Sequence, residues 1–402
     1  MNTTHMKNLI PIALLLLISA TSVAQDFDVS LHGYIGVDAA YDSRSSVTAR
    51  NRHVYLYPLP EDLSDAGDDL NKREQFDLDA AHSRFGLDIK GPAIGEFRTS
   101  GMIQGDFIGN GRVDSYFRLR HAFISLSNEK WTFLAGQTWH PIFVTGNLPG
   151  TVNANAGAPF HPLIRSPQVS VTRKLSPSTR LSFFVVDQNN FRSSGFGSNS
   201  TEEALFPELD ARLQWNTPGM LVALTGGVKT LAVPQEISGV VPAKKVSSGH
   251  VSASFRYNLP KITIRMEGIY GGNLTEMVML GGVGQSLSDG EYVPLTTGSL
   301  WTDIQTNNST GWQPGFFAGY TANMGAHEEV TVVENLSRSK GQVQSIYALS
   351  PRLRYVFDAF WIGAEWLYTN AAWGDAFDQY GVPQNTENYK NHRLLLSLRY
   401  NF

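Results

Sequence analysis

Cysteine is absent from the 402 residues. A secreted chain without it has no disulfide framework and must hold its fold by burial and backbone pairing. Long apolar runs are scarce as well: beyond residue 24 no segment reaches the roughly 20 apolar residues of a spanning helix. Aromatics at 11% and a mean hydropathy of -0.18 likewise exclude a helical membrane protein. Basic stretches interleaved with aromatics are missing, so no nucleic-acid partner is expected. The histidines and acids follow no zinc or EF-hand spacing, and neither a metal nor a cofactor is expected.

What is present begins with "MKNLIPIALLLLISATSVAQ". Lys7, the apolar stretch from Leu9 to Ala20, and the small residues Ser22 and Ala24 stand in the order of a secretory signal, with cleavage expected after Ala24. Residues 1–24 are therefore set apart, and 25–402 form one unit.

That unit opens and closes on the same pattern. Phe27, Val29, Leu31, Ile35, Val37, Ala39 and Tyr41 alternate with Asp28, Ser30, His32 and Asp38. At the other end Leu394, Leu396, Leu398, Tyr400 and Phe402 share one face, while Arg393, Ser397, Arg399 and Asn401 share the other. Leu395 alone intrudes on the polar side. Such a strand faces either a soluble core or, turned inside out, lipid without and water within.

Comparable segments recur near 76–90, 96–108, 116–127, 131–139, 168–175, 180–187, 208–216, 220–231, 247–258, 261–271, 314–324, 345–357, 360–372 and 392–402. The connectors between them decide the architecture. Tight links at 91–95, 128–130, 176–179, 216–219 and 259–260 alternate with long ones at 42–75, 109–115, 140–167, 188–207 and 232–246. Short turns at one end and long loops at the other describe an outer-membrane barrel, whereas a soluble sandwich has no reason to sort its loops by parity. The alternation fails once, between 272 and 342, and a strand at 293–307 repairs it. The expected fold is thus all-β: a transmembrane antiparallel up-and-down barrel of about sixteen strands, with long extracellular loops and short periplasmic turns. The third long loop, 140–167, is rich in Gly, Pro, Ala and Asn and poor in charge; it is expected to fold into the lumen and narrow it.

Several stretches resemble the DcaP-like porins of Gram-negative outer membranes: "SRFGLDIKGP" at 83–92, "RLRHAFISL" at 118–126, "FLAGQTWHP" at 133–141, "LPGTVN" at 148–153, "RSPQVSVT" at 165–172, "GFFAGYTANMG" at 315–325 and "SPRLRYVF" at 350–357. The resemblance implies a trimeric sixteen-stranded porin in the outer membrane, in contact with its lipid, with an inward constriction loop and a preference for small anionic solutes such as dicarboxylates. Those porins often carry an extension before the barrel, whereas here the first strand begins at Phe27.

Arginine recurs on the polar parity: Arg118, Arg120, Arg212, Arg256, Arg265, Arg352 and Arg354 are the expected channel lining. Arg165, the one charged residue of 140–167, is expected to contact solute. The net charge of -4 does not contradict an anion channel. Residues 60–80 hold eight acids against Lys72 and Arg73, so the acidity sits in the first long loop, read as a solvated surface. Trp131, Trp139, Trp215, Trp361 and Trp366 lie near strand ends, where an aromatic girdle is one account of them. No catalysis is expected: His82 and Ser83, the nearest approach to a base and nucleophile, are adjacent and point to opposite faces of a strand. The rival reading, an adhesin or structural barrel, predicts a closed lumen.

Overall fold

The computed structural model describes residues 27–50, 52–109, 116–234, 237 and 244–402. The expected signal segment lies outside them. Alternating side chains become sixteen antiparallel strands joined in a closed barrel. In order they are Asp28–Asp42, a second strand in two pieces (Gln75–Asp79 and Arg84–Ile94), Phe97–Asp106, Arg118–Ser127, Trp131–Trp139, Arg165–Lys174, Thr179–Val186, Glu208–Asn216, Met220–Ala232, Lys245–Asn258, Ile262–Gly272, Tyr292–Thr306, Gly311–Gly325, Val343–Phe357, Phe360–Trp373 and Glu387–Asn401. The strand expected at 293–307 is present as Tyr292–Thr306. Short strand pieces outside the barrel sheet pair within the long connections, as Ser46–Ala49 does with Val54–Pro58.

The last strand closes on the first. Tyr34 to Asp42 pair with Asn401 to Arg393, and Gly33 and Phe402 exchange backbone hydrogen bonds at 2.9 and 3.0 Å. The first strand's other edge pairs with the second strand, Asp28 to Tyr34 against Lys90 to Arg84. No open edge is left there to hydrogen-bond in lipid, which the hydrocarbon layer would not permit.

The tight ends are local chemistry. Asn128 Oδ1 accepts from the Lys130 and Trp131 amides at 2.9 and 2.7 Å, and Ser176 Oγ accepts from the Thr179 amide at 3.0 Å. The outward face is apolar, with Val29, Leu31, Ile35, Leu394, Leu396 and Tyr400 all exposed. Inward residues are largely buried, because the long connections pack against them.

Three details depart from simple alternation. The second strand breaks at 80–83, so His82 and Ser83 sit outside regular strand. His82 there reaches Asp38 and Tyr34, at 3.1 and 3.0 Å, and Ser83 donates to the Ala80 carbonyl at 2.8 Å. Their separation thus comes from this interruption rather than from strand parity. In the fourth strand a register shift beside Gln104 and Gly105 turns both Arg120 and His121 to buried positions. Trp139 and Trp361 do not join an outer girdle: Trp139 stacks on Phe143 at 3.8 Å, and Trp361 lies beside the Arg399 and Arg354 guanidiniums.

Leu396→Arg places a charge against lipid and is expected to cost about 2–4 kcal/mol near the bilayer midplane. Urea unfolding of the barrel in vesicles measures it. A cost below 1 kcal/mol would put Leu396 at the interface or inside.

Candidate functional site

The connection between the fifth and sixth strands, residues 140–164, runs among inward side chains of the barrel wall. Buried acids on the wall receive it. Glu365 accepts from the Val152 and Asn153 amides at 2.5 and 3.3 Å. Glu267 pairs with His161 Nδ1 at 2.7 Å, and also accepts from Trp301 Nε1 at 3.0 Å and Ser254 Oγ at 2.8 Å. Glu208 faces His140 Nε2 at 3.1 Å. Asn147 and Ser299 add bonds to the Met266 and Phe160 carbonyls at 2.8 and 2.9 Å.

Apolar contacts follow the same path. Val144 packs on Leu221, and Phe160 meets Phe317 within a larger cluster containing Trp301 and Leu367. Val152 packs on Leu395 and Ala40. Leu395, the intruder on the polar parity of the last strand, is therefore a docking position for this segment. Gly157 takes φ +83° beside Pro149, Phe317 and His161, a left-handed backbone that favours glycine and where a side chain would press on all three neighbours.

Beside this segment lies a cavity of about 380 Å³. Eight arginines among the described residues line it: Arg50, Arg84, Arg118, Arg120, Arg165, Arg192, Arg338 and Arg399. Among the described residues Glu276 is the one lining acid, and it is paired with Lys229. Asp106, fully buried at the end of the third strand, holds Arg118 at 2.6 Å and Arg120 at 2.9 Å. Arg165 differs from both. Its guanidinium lies over Trp139 at 4.6 Å and Phe191 at 5.3 Å, its Nη1 is buried without a hydrogen-bond partner, and among the described residues no acid forms an ion pair with it. Burial, then the neighbouring Arg118, pulls the Arg50 guanidinium down to about 10, which leaves it cationic at neutral pH. Burial also lowers Arg338, countered by Tyr57 and Glu276.

Of the arginines expected to line the channel, the structure thus brings Arg118, Arg120 and Arg165 to one cavity. The other five are elsewhere. Arg212 and Arg256 donate to the Pro141 and Gly146 carbonyls at 3.1 and 2.8 Å and brace the inward segment. Arg265 and Arg352 share Asp303, at 3.2 and 2.7 Å, and Arg354 lies over Trp361. Arg84 and Arg399 stand on inward strand positions, Arg399 on the polar parity already noted. Arg50, Arg192 and Arg338 come from long connections, where no periodicity reports direction.

Among the described residues one group of potential ligands, His140, Glu208 and Asp210, brings its ligand atoms within 4.8 Å of one another. It fits a metal poorly. His140 Nδ1 accepts the Ile142 amide at 3.2 Å, so Nε2 carries the proton and donates to Glu208, leaving no lone pair for an ion. The group is a buried hydrogen-bonded brace between the segment and the wall.

A closed sixteen-stranded barrel with a partly filled, arginine-lined interior defines the porin class of outer-membrane channels. The chain belongs to the DcaP outer membrane protein family, whose model matches residues 18–236. The fold is similar to the outer membrane channel DcaP of Acinetobacter baumannii, with a TM-score of 0.68, 17% identity, and coverage of 94% of this chain and 97% of that one. It is also similar to an anion-selective porin from Comamonas acidovorans, with a TM-score of 0.57, 11% identity, and coverage of 94% and 100%. OmpT of Vibrio cholerae aligns with a TM-score of 0.57, 10% identity, and coverage of 94% and 98%. No curated protein sequence matched. Family and fold together place the chain in the outer membrane as a channel, and both support a non-enzymatic role.

Glu365→Ala would leave two buried amides of the segment unpaired, at about 1–3 kcal/mol each. The expected result is a folded barrel newly susceptible to proteolysis within residues 148–156. Unchanged resistance would show that the Val152 to Leu395 packing holds the segment alone.

Proposed function

We propose that this protein is a porin for passive diffusion of small hydrophilic solutes that favours anions, dicarboxylates foremost. The observation that carries the reading is the gathering of eight arginines around one cavity, with Arg165 lacking an acidic partner among the described residues. A guanidinium stays charged and presents a planar fork matched to a carboxylate, and several arginines around one cavity suit a solute with two of them. At a narrow point water screens least, so one uncompensated cation biases permeation more than several paired ones.

In this reading residues 140–167 set the size limit and Arg165, Arg118 and Arg120 contact the solute. Arg212 and Arg256 act through the segment they brace, while Arg265, Arg352 and Arg354 shape the wall beneath it. The anion-selective porin from Comamonas acidovorans, whose fold is shared, supports the sign of the preference. The chain is proposed to reach the outer membrane by a signal cleaved after Ala24 and to assemble there as a homotrimer through its barrel walls. An adhesin or scaffold barrel would have no use for a cationic cavity.

Single-channel recording in a planar bilayer with a salt gradient tests the proposal. Arg165→Ala is expected to lower the anion-to-cation permeability ratio by roughly fivefold, about 1 kcal/mol, with the barrel still folded. An unchanged reversal potential would remove Arg165 from the permeation path.

A further inference from the structure

The first long connection does more than cover the barrel mouth. Its acidic part, around residues 61–69, is mostly exposed, as a solvated loop should be. The hairpin that precedes it, Ser46–Ala49 paired with Val54–Pro58, is not. Val54 to Tyr57 are all buried, and Tyr55, Leu56 and Tyr57 join the same apolar cluster as Phe143, Phe160 and Trp301. Polar contacts hold it from three sides. Asn155 of the inward segment donates to the Tyr55 carbonyl at 3.1 Å, Trp373 of the wall donates to the Pro58 carbonyl at 3.0 Å, and the Tyr57 hydroxyl meets Ser339 at 2.7 Å. Arg393 of the last strand covers the Tyr55 ring at 5.6 Å. On its other side the hairpin contributes Ala49, Arg50 and Val54 to the lining of the arginine cavity.

From these contacts we infer that the hairpin is a second constriction element: with residues 140–164 it fills one side of the lumen and confines solutes to the cavity on the other. A barrel of sixteen strands has room for an aqueous channel, and the hairpin, packed in one apolar cluster with residues of 140–164, takes up part of that room beside the cavity of about 380 Å³. The hairpin also presents Arg50 to the cavity, so it acts on both size and charge. This inference rests on the porin reading.

The geometry offers a clean test. Leu59 N donates to Ser45 O at 2.9 Å, so the ends of the hairpin already meet. Replacing residues 46–58 by a Gly-Ser-Gly linker removes the hairpin and keeps the exposed acidic part and its Arg44 to Asp69 bridge of 2.7 Å. A milder variant, Tyr55→Ala with Tyr57→Ala, keeps the backbone and removes the packing. Folding of each is checked by heat-modifiable gel mobility, and single-channel conductance is compared with that of the parent. The expected result is a rise of roughly twofold or more in the linker variant, a smaller rise in the double variant, and passage of larger neutral sugars. A conducting parent with unchanged conductance in both folded variants overturns the inference and leaves the porin reading standing. Silence of parent and variants alike overturns the porin reading, and this inference with it.

Discussion

In a bilayer the backbone must satisfy its own hydrogen bonds, and a sheet can do so only by closing on itself. Here closure rests on the pairing of Tyr34 to Asp42 with Asn401 to Arg393, reinforced by the exchange between Gly33 and Phe402. The chain's last aromatic is therefore part of the seam, with its ring at the lipid side. Everything else in the structure presupposes this seam, because a closed wall is what creates an interior in which loops can dock and cations can converge.

The interior has two arcs. Along one, inward strand positions that ought to be polar carry Leu221, Trp301, Phe317, Leu367 and Leu395, and the inward segment covers them. Buried acids sit among them and bond to that segment, so wall and loop are interdependent: an unpaired Glu267 or Glu365 would be costly in either element alone. Along the other arc stand Arg84, Arg118, Arg120 and Arg399, which share the cavity with arginines from the connections. A positive field at the cavity coexists with an overall charge of -4 because the acidic excess lies in the exposed part of the first connection.

Much of the barrel was legible beforehand. Period-two alternation marked the strands, and the alternation of short and long connectors placed the missing strand within a residue of Tyr292–Thr306. Of the candidate site, the sequence points to Arg118, Arg120 and Arg165, which line one cavity. The exceptions to the alternation carry further information: Leu395, which intrudes on the polar parity, is where Val152 packs. The inward turn of Trp139 and the burial of Tyr55 and Tyr57 left no trace in local periodicity.

By itself the sequence determined the strands, their count, the sorting of the loops and the polarity of the two faces, because each depends on neighbours two residues apart or on the length of one connector. Only the tertiary structure decided which arginines share a cavity, which are neutralised by Asp106 or Asp303, and which connections turn inward. Those outcomes depend on pairs such as Asp42 with Arg393 and Val152 with Glu365, separated by 351 and 213 residues. No local pattern encodes such a meeting, since it exists only after the seam has closed and the loops compete for the same enclosed space.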